Sequence, residues 1–213
     1  IKELSRGELA ISTAGKGVAI LGNDSLFRFI NKDHGLSSNL IRDTYETSND
    51  TLWVVSEDRG LNRVIHRKYA NFEKIEYVLM ADGLIDNSLH KIFEDEFGYF
   101  WINSNSGIMR INKRNLNDYL DDKINELAIQ SFTEEDGLEN IEGNGGVQSA
   151  GLLTKDGKLL FPNQSGIIFT RPEWHVYKNK MGLIKPVFET ISFSDSIKNI
   201  QNISEINFSR EVR

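Results

Sequence analysis

Apolar and β-branched residues occur along this chain in short runs set between turn-forming clusters, the pattern of a series of brief strands. Leu40 to Thr47 is one run, Ser48-Asn49-Asp50 a turn cluster, and Leu52 to Ser56 a nearly continuous apolar run, as in a strand buried on both faces. Glu57-Asp58-Arg59-Gly60 makes a second turn, Leu61 to Ile65 a third strand and Phe72 to Leu79 a fourth. Residues 33 to 79 therefore read as four strands, A to D in chain order, each joined to the next by a tight turn.

The unit repeats. Asp33-His34-Gly35-Leu36 recurs as Ala81-Asp82-Gly83-Leu84, Asn39 as Asn87, Tyr45-Glu46 as Phe93-Glu94 and Leu52-Trp53-Val54 as Phe100-Trp101-Ile102, each 48 residues on. Gly60-Leu61-Asn62-Arg63 answers to Gly107-Ile108-Met109-Arg110, 47 residues on. A third copy runs from Asp136-Gly137-Leu138 through Asp156-Gly157-Lys158-Leu159-Leu160-Phe161 to Gly166-Ile167-Ile168-Phe169, with Leu160 in the tryptophan slot. A partial copy precedes them all, where Gly7 to Ile11 and Gly17 to Ile20 stand 43 residues before their counterparts. Four antiparallel strands per 40 to 50 or so residues make the blade of a β-propeller. The fold class is accordingly all-β: a partial β-propeller of about four blades, the first truncated, over residues 1–173.

Two stretches break the pattern. Asn115 to Ala128 carries Leu116, Tyr119, Leu120, Ile124 and Leu127 at helical spacing. It predicts a short helix inserted where the third strand of its blade passes to the fourth. Residues 174–185 are irregular and read as a connector. Pro186 to Phe193 alternates like a new strand and opens a second β element over 186–213.

Composition narrows the functional classes. The 213 residues are 39% hydrophobic and 26% charged, enough apolar material for a packed core. With 31 acidic against 25 basic side chains, a formal charge of -6 and no long basic run, the chain lacks the footprint a nucleic acid needs. Without cysteine there are no disulfides, thiolate metal sites or thiol nucleophiles, and the redox compartment stays open. Ile1 to Ala14 has neither a basic nor an apolar leader segment. As written, the chain is expected to be neither exported nor membrane-spanning; opening without methionine, it reads as a piece of a longer protein.

The sequence from His34 to Asn39, then Tyr45-Glu46, Leu52-Trp53-Val54 and Gly60-Leu61-Asn62-Arg63, resembles the two-component regulator propeller repeat. Asp136-Gly137-Leu138, Gly143-Asn144-Gly145-Gly146, Asp156 to Leu159 and Gly166 look like the last blade of such propellers. Pro186 to Phe193 is similar to the opening of the immunoglobulin-like Y_Y_Y domain that follows them. The resemblance implies a fragment of the periplasmic sensor region of an inner-membrane hybrid two-component histidine kinase of Bacteroidetes. Such regions sense oligosaccharides and switch on glycan-utilisation genes. It further implies no enzymatic activity in this fragment, no cofactor, an oligosaccharide ligand, self-association or a homodimer, and membrane attachment only through the parent's transmembrane helix. Alternatives are a propeller enzyme such as a polysaccharide lyase, or a purely structural protein-interaction module.

Catalytic signatures are missing. Val147-Gln148-Ser149-Ala150-Gly151 lacks the first glycine of a nucleophile elbow, and Gln148 breaks the dinucleotide fingerprint of Gly143 to Gly146. His34, His66, His90 and His175 are scattered without metal spacing. Glu94-Asp95-Glu96 reads as a solvated hairpin turn, and Trp53 and Trp101 as blade-to-blade packing. Trp174 reads as packing between the propeller and the next domain. If strands run A to D, the D-to-A loops and B-to-C turns share one face, which carries Asp33, His34, Ser37, Asn39, Asp86 and Asn87. On it, Arg59, Asn103, Asn105, Asn144, Asn163 and Gln164 are the candidate ligand-binding residues, since amides and guanidinium offer what sugar hydroxyls require. Asn39 and Asn87, repeated in register, are expected to be structural. At about 48 residues a blade, the chain supplies fewer than four full blades, whereas rings close with four to eight. An arc with exposed strand edges is expected, prone to pair with another copy or with missing parts of its own chain.

Overall fold

The computed structural model describes residues 1–47, 50–67, 71–146, 149–175, 190–193 and 196–199. Residues 1–174 form one compact unit and 175–213 a second. In the first unit four small antiparallel sheets form a four-blade β-propeller arrangement. The first blade pairs β1 (Lys2–Glu3), β2 (Leu9–Ser12), β3 (Val18–Leu21) and β4 (Phe27–Ile30) in that order. The second comprises β5 (Ile41–Thr47), β6 (Thr51–Ser56), β7 (Leu61–Arg67) and β8 (Asn71–Val78). The third comprises β9 (Leu89–Glu94), β10 (Tyr99–Ser104), β11 (Gly107–Asn112) and β12 (Ile129–Phe132). The fourth has β13 (Leu152–Leu153), β14 (Leu159–Asn163) and β15 (Gly166–Thr170) among the described residues. The expected truncation of the first blade falls on its strand A, β1, which is two residues long.

Blades pack face to face, because strands alternate side chains between two faces and both are apolar. Ala10, Val18, Ile20 and Ile30 of the first blade bury against Leu52, Val54 and Val64 of the second. On the other face of the second blade, Trp53, Val55 and Leu61 bury against Leu89, Ile92, Phe100, Ile102 and Met109 of the third. Phe93, Trp101 and Ile108 then meet Leu159 and Phe161 of the fourth. Trp53 meets Phe100 edge-on at 5.0 Å between ring centroids, and Trp101 stacks on Phe132 at 5.5 Å. Both tryptophans are thus interior packing residues.

The turn preceding each repeat has one design. The chain makes a 3-10 turn at Lys32–His34, Met80–Asp82 and Glu134–Asp136, each followed by a glycine with positive φ. Asp82 and Asp136 accept the N–H of Leu79 and Thr133 at 2.8 and 3.0 Å, and His34 occupies the same slot. Asn39 and Asn87 accept the N–H of Lys32 and Met80 at 2.8 and 2.9 Å, which makes the repeated asparagines structural.

The inserted helix α1 spans Lys113–Leu120, between β11 and β12 as its spacing suggested. It starts earlier and stops sooner than Asn115 to Ala128. Asn112 caps it by accepting the N–H of Arg114 and Asn115, and Asp122 at φ 57° ends it. Leu127 then reaches the core from extended chain beside Leu116 and Leu120. Glu94-Asp95-Glu96 also departs from a solvated turn. Asp95 is buried and accepts from the N–H of Phe97 and Tyr99 at 2.9 Å and from the Trp101 indole at 2.8 Å. These three donors compensate a carboxylate held away from water.

Trp174 lies edge-on to Phe169 at 6.1 Å and is about half exposed. Of the second unit, β16 (Thr190–Phe193) and β17 (Ser196–Asn199) pair antiparallel. The remainder of the expected connector and of the immunoglobulin-like opening lies outside the described residues. No helix among the described residues is long and apolar enough to cross a membrane.

Candidate functional site

The D-to-A loops meet the B-to-C turns on one face. Ser37 Oγ donates to the Arg59 carbonyl at 2.6 Å, and Gly60 N–H to the Asn87 carbonyl at 2.8 Å. Ser106 Oγ donates to Asp86 at 2.8 Å, and Gly143 N–H to the Ser104 carbonyl at 2.9 Å. The A-to-B turns collect on the opposite face, where Ser5 N–H donates to Glu46 at 2.6 Å and Arg6 pairs with Asp50 at 2.5 Å.

On the loop face the predicted residues divide into spent and available groups. Asn103 is buried and donates to the Ala150 carbonyl at 3.3 Å, fastening the third blade to the approach of the fourth. Asn163 donates to the Asn140 carbonyl at 2.6 Å and accepts from Ser165 N–H at 3.0 Å. Arg59 and Gln164 project from exposed positions. Asn144 is half-buried; its backbone N–H is spent on the Pro162 carbonyl at 2.9 Å. Asn105 is exposed, and its Oδ1 stands 2.7 Å from His90 Nε2. With the amide oxygen as acceptor, that nitrogen carries the ring proton. Arg59, Asn105, Asn144 and Gln164 therefore present polar atoms to solvent, while Asn103 and Asn163 hold the scaffold.

Beside these turns lies a hollow of about 520 Å³ between the innermost segments of successive blades. Its polar wall is Lys2, Arg42, Asp43, His90 and Lys91, closed on one side by Gly145 and Gly146. Arg42 pairs with Glu57 at 2.7 Å and Lys91 with Asp43 at 3.1 Å. Burial pushes the His90 imidazole below its ordinary range, so it is neutral at neutral pH. Its Nδ1 has no hydrogen-bond partner, and a side chain on Gly145 would stand 2.0 Å from that atom. The backbone of Gly145 covers the ring nitrogen, so His90 shapes the wall and is not poised to pass a proton to a ligand. A smaller hollow of about 330 Å³ runs from Gly137–Glu139 along Asn163 and Ser165–Phe169.

Arg42, Asp43, His90 and Lys91 were not among the sequence candidates. Their signal is two consecutive polar residues directly after the first apolar residue of strand A in both full repeats. The arrangement offers donors, acceptors and cations to a polar ligand, held on strands and tight turns.

No family model matches the chain, and no curated protein gives a significant match. Solved structures do. The extracellular domain of BT3049 from B. thetaiotaomicron, assigned to a hybrid two-component system, superposes with a TM-score of 0.62 at 22% identity over 82% of this chain. Two structures of the extracellular domain of BT4673 from the same organism, assigned in one to a one-component and in the other to a hybrid two-component system, give 0.60 and 0.59 at 17% and 18% identity, each over 81% of this chain. The likeness is one of fold. The chain spans 22% of the length of each of these neighbours.

Proposed function

We propose that this chain is part of the extracytoplasmic sensor region of a two-component receptor and that it contributes to binding an oligosaccharide on its loop face. The observation that carries the reading is a loop face that presents the solvent-facing amide and guanidinium groups of Arg59, Asn105, Asn144 and Gln164, together with a polar hollow walled by Lys2, Arg42, Asp43, His90 and Lys91. Sugars present hydroxyls that donate and accept at once, and amide side chains answer both roles. The propeller likeness to extracellular domains of signalling proteins agrees with this reading, as do the repeat residues that resemble the regulator propeller family and its Y_Y_Y neighbour. The covered imidazole of His90 weighs against a lyase-type acid–base role at this hollow.

Isothermal titration against a panel of neutral and acidic glycan fragments tests it. Saturable heat with at least one fragment, reduced about tenfold or more in affinity by Asn105→Ala and Arg59→Ala, is the expected result. A folded sample that gives no heat across the panel, or heat indifferent to both substitutions, overturns the reading. Turnover of a polysaccharide would replace it with the enzymatic one.

A further inference from the structure

The second and third blades share a β-bulge at one position of strand A. Ile41 pairs with Ser56 and Asp43 with Val55, so Arg42 has no residue opposite it in the ladder. Leu89 pairs with Ser104 and Lys91 with Asn103, which leaves His90 unopposed in the same way. A bulge re-aims the extra side chain, and here each returns to the B-to-C turn of its own blade. Arg42 meets Glu57 at 2.7 Å, and His90 Nε2 stands 2.7 Å from Asn105 Oδ1. Arg42 and His90 are 48 residues apart, as are Glu57 and Asn105. The two contacts are therefore one repeated device.

Its frame is constant while its tips change. Ser56 and Ser104 each donate to the carbonyl of the glycine that opens strand C, at 3.1 and 2.7 Å. On that frame the second blade carries an ion pair and the third a neutral pair. Packing does not dictate the ion pair, because the Arg42 and Glu57 side chains keep 31% and 41% of their surface exposed, and exposed pairs contribute little to stability. Arg42 lines the hollow of about 520 Å³, and Glu57 does not. Among the described residues the ionised side chains of that wall are Lys2, Arg42 and Lys91 against Asp43 alone, and Lys91 already engages Asp43. Arg42 spends Nη2 on Glu57, while its Nε has no hydrogen-bond partner. Besides burial and the Asn105 hydrogen bond, the charges of Arg42 and Glu57 bear on the His90 ring, so the two pairs stand side by side along the wall.

We propose that Arg42 and Glu57 determine specificity at this hollow, which takes an oligosaccharide bearing an anionic group, a carboxylate or a sulfate ester. The proposal rests on the reading of the loop face as a sugar site. Arg42 draws the anion into the hollow, and Glu57 tempers that pull by sharing the guanidinium. The neutral His90–Asn105 pair beside them serves hydroxyls, which charged and uncharged sugars have alike. A pair that only braces the turn would weaken binding whichever partner is removed. A pair that reads charge gives opposite signs, because Glu57→Gln leaves a cation unopposed and Arg42→Gln leaves a carboxylate unopposed.

Isothermal titration with matched fragments tests it: uronic acid oligosaccharides beside their methyl esters, and sulfated oligosaccharides beside their desulfated forms. The wild-type chain is expected to bind the charged member of at least one series more tightly than its neutral counterpart, and the series that responds assigns the anion. For that member Glu57→Gln is expected to raise affinity about fivefold and Arg42→Gln to lower it about fivefold, both effects shrinking in high salt. The neutral counterpart is expected to change by less than about twofold in either variant. Fluorescence of the buried Trp53 and Trp101 verifies that each variant folds; Glu57→Asn and Arg42→His, the residue types of the third blade, replace any that does not. Neutral fragments bound as tightly as charged ones, or substitutions that shift affinity in the same direction or not at all, overturn the proposal and leave sugar binding standing. No binding by any fragment overturns both.

Discussion

Glycine at the start of strand C answers two demands at once. Gly60 and Gly107 have φ of 64° and 114°, and a side chain on either would stand 2.2 or 2.4 Å from the carbonyl oxygen of Val78 or Phe132. Those oxygens belong to the ends of the neighbouring D strands, so the packing excludes a Cβ even where the backbone could tolerate one. Gly166 sits at the same repeat position with φ 152° and nothing within 4 Å. Only the backbone requirement remains there. Gly107→Ala is therefore expected to destabilise the fold by about 3 kcal/mol or more, and Gly166→Ala by about 1–2 kcal/mol, the cost of the dihedral alone. Urea denaturation of the two variants compares them; equal losses would mean that strand D plays no part. Such glycines, like the turn residues Asp82 and Asn87, were legible in the sequence because a local backbone demand recurs with each repeat. The fates of Asn103 and His90 were not. Whether an asparagine near the end of strand B faces solvent or the Ala150 carbonyl is decided by the approach to the next blade, more than forty residues along the chain.

Among elements, α1 fastens the outer rim of two blades. Arg63 of β7 is buried and donates to Glu76 at 2.5 Å, to Asp121 at 2.6 Å and to the Asn117 side chain at 2.8 Å. Lys123 and Arg63 hold the Asp121 carboxyl well below its usual range, at about 2. Tyr119 adds a hydrogen bond to Asp82 at 2.9 Å, and Lys113 pairs with Glu94. Helical spacing announced α1, but its charged partners Arg63, Asp82 and Glu94 lie on β7, on the turn after β8 and on β9, which no local pattern reveals. Arg110 holds the equivalent place in β11 and meets a different fate. Its guanidinium lies 3.6 Å above the Tyr99 ring and donates to Gln130 at 3.3 Å, while Nε and Nη2 are buried without hydrogen-bond partners. Burial lowers its pKa. Removing one partner from a buried ion pair strands the other charge, whereas replacing a poorly compensated cation by an apolar chain of similar length relieves desolvation. Arg63→Met is thus expected to cost about 3 kcal/mol, and Arg110→Met to fall within about 1 kcal/mol of wild type or above it. A large loss at Arg110, measured by the same denaturation, would contradict this account.

Over the whole molecule, stability follows from how each blade is flanked. The second and third blades bury both faces, and their shared cluster draws Trp53, Phe100, Met109, Leu116 and Leu120 into one core. The cluster between third and fourth blades has fewer members among the described residues, and Ile167 and Phe169 on the outward face of the fourth are exposed. In an array whose units touch only their neighbours, an end unit is held by one interface and opens before the middle does. Hydrogen exchange is expected to find the amides of β6, β7, β10 and β11 slowest. Those of β14 and β15 should exchange on the order of 100-fold faster, since one missing interface is worth a few kcal/mol. Uniform protection across all four sheets would show that the blades open as one cooperative unit, the end blades carrying no local weakness.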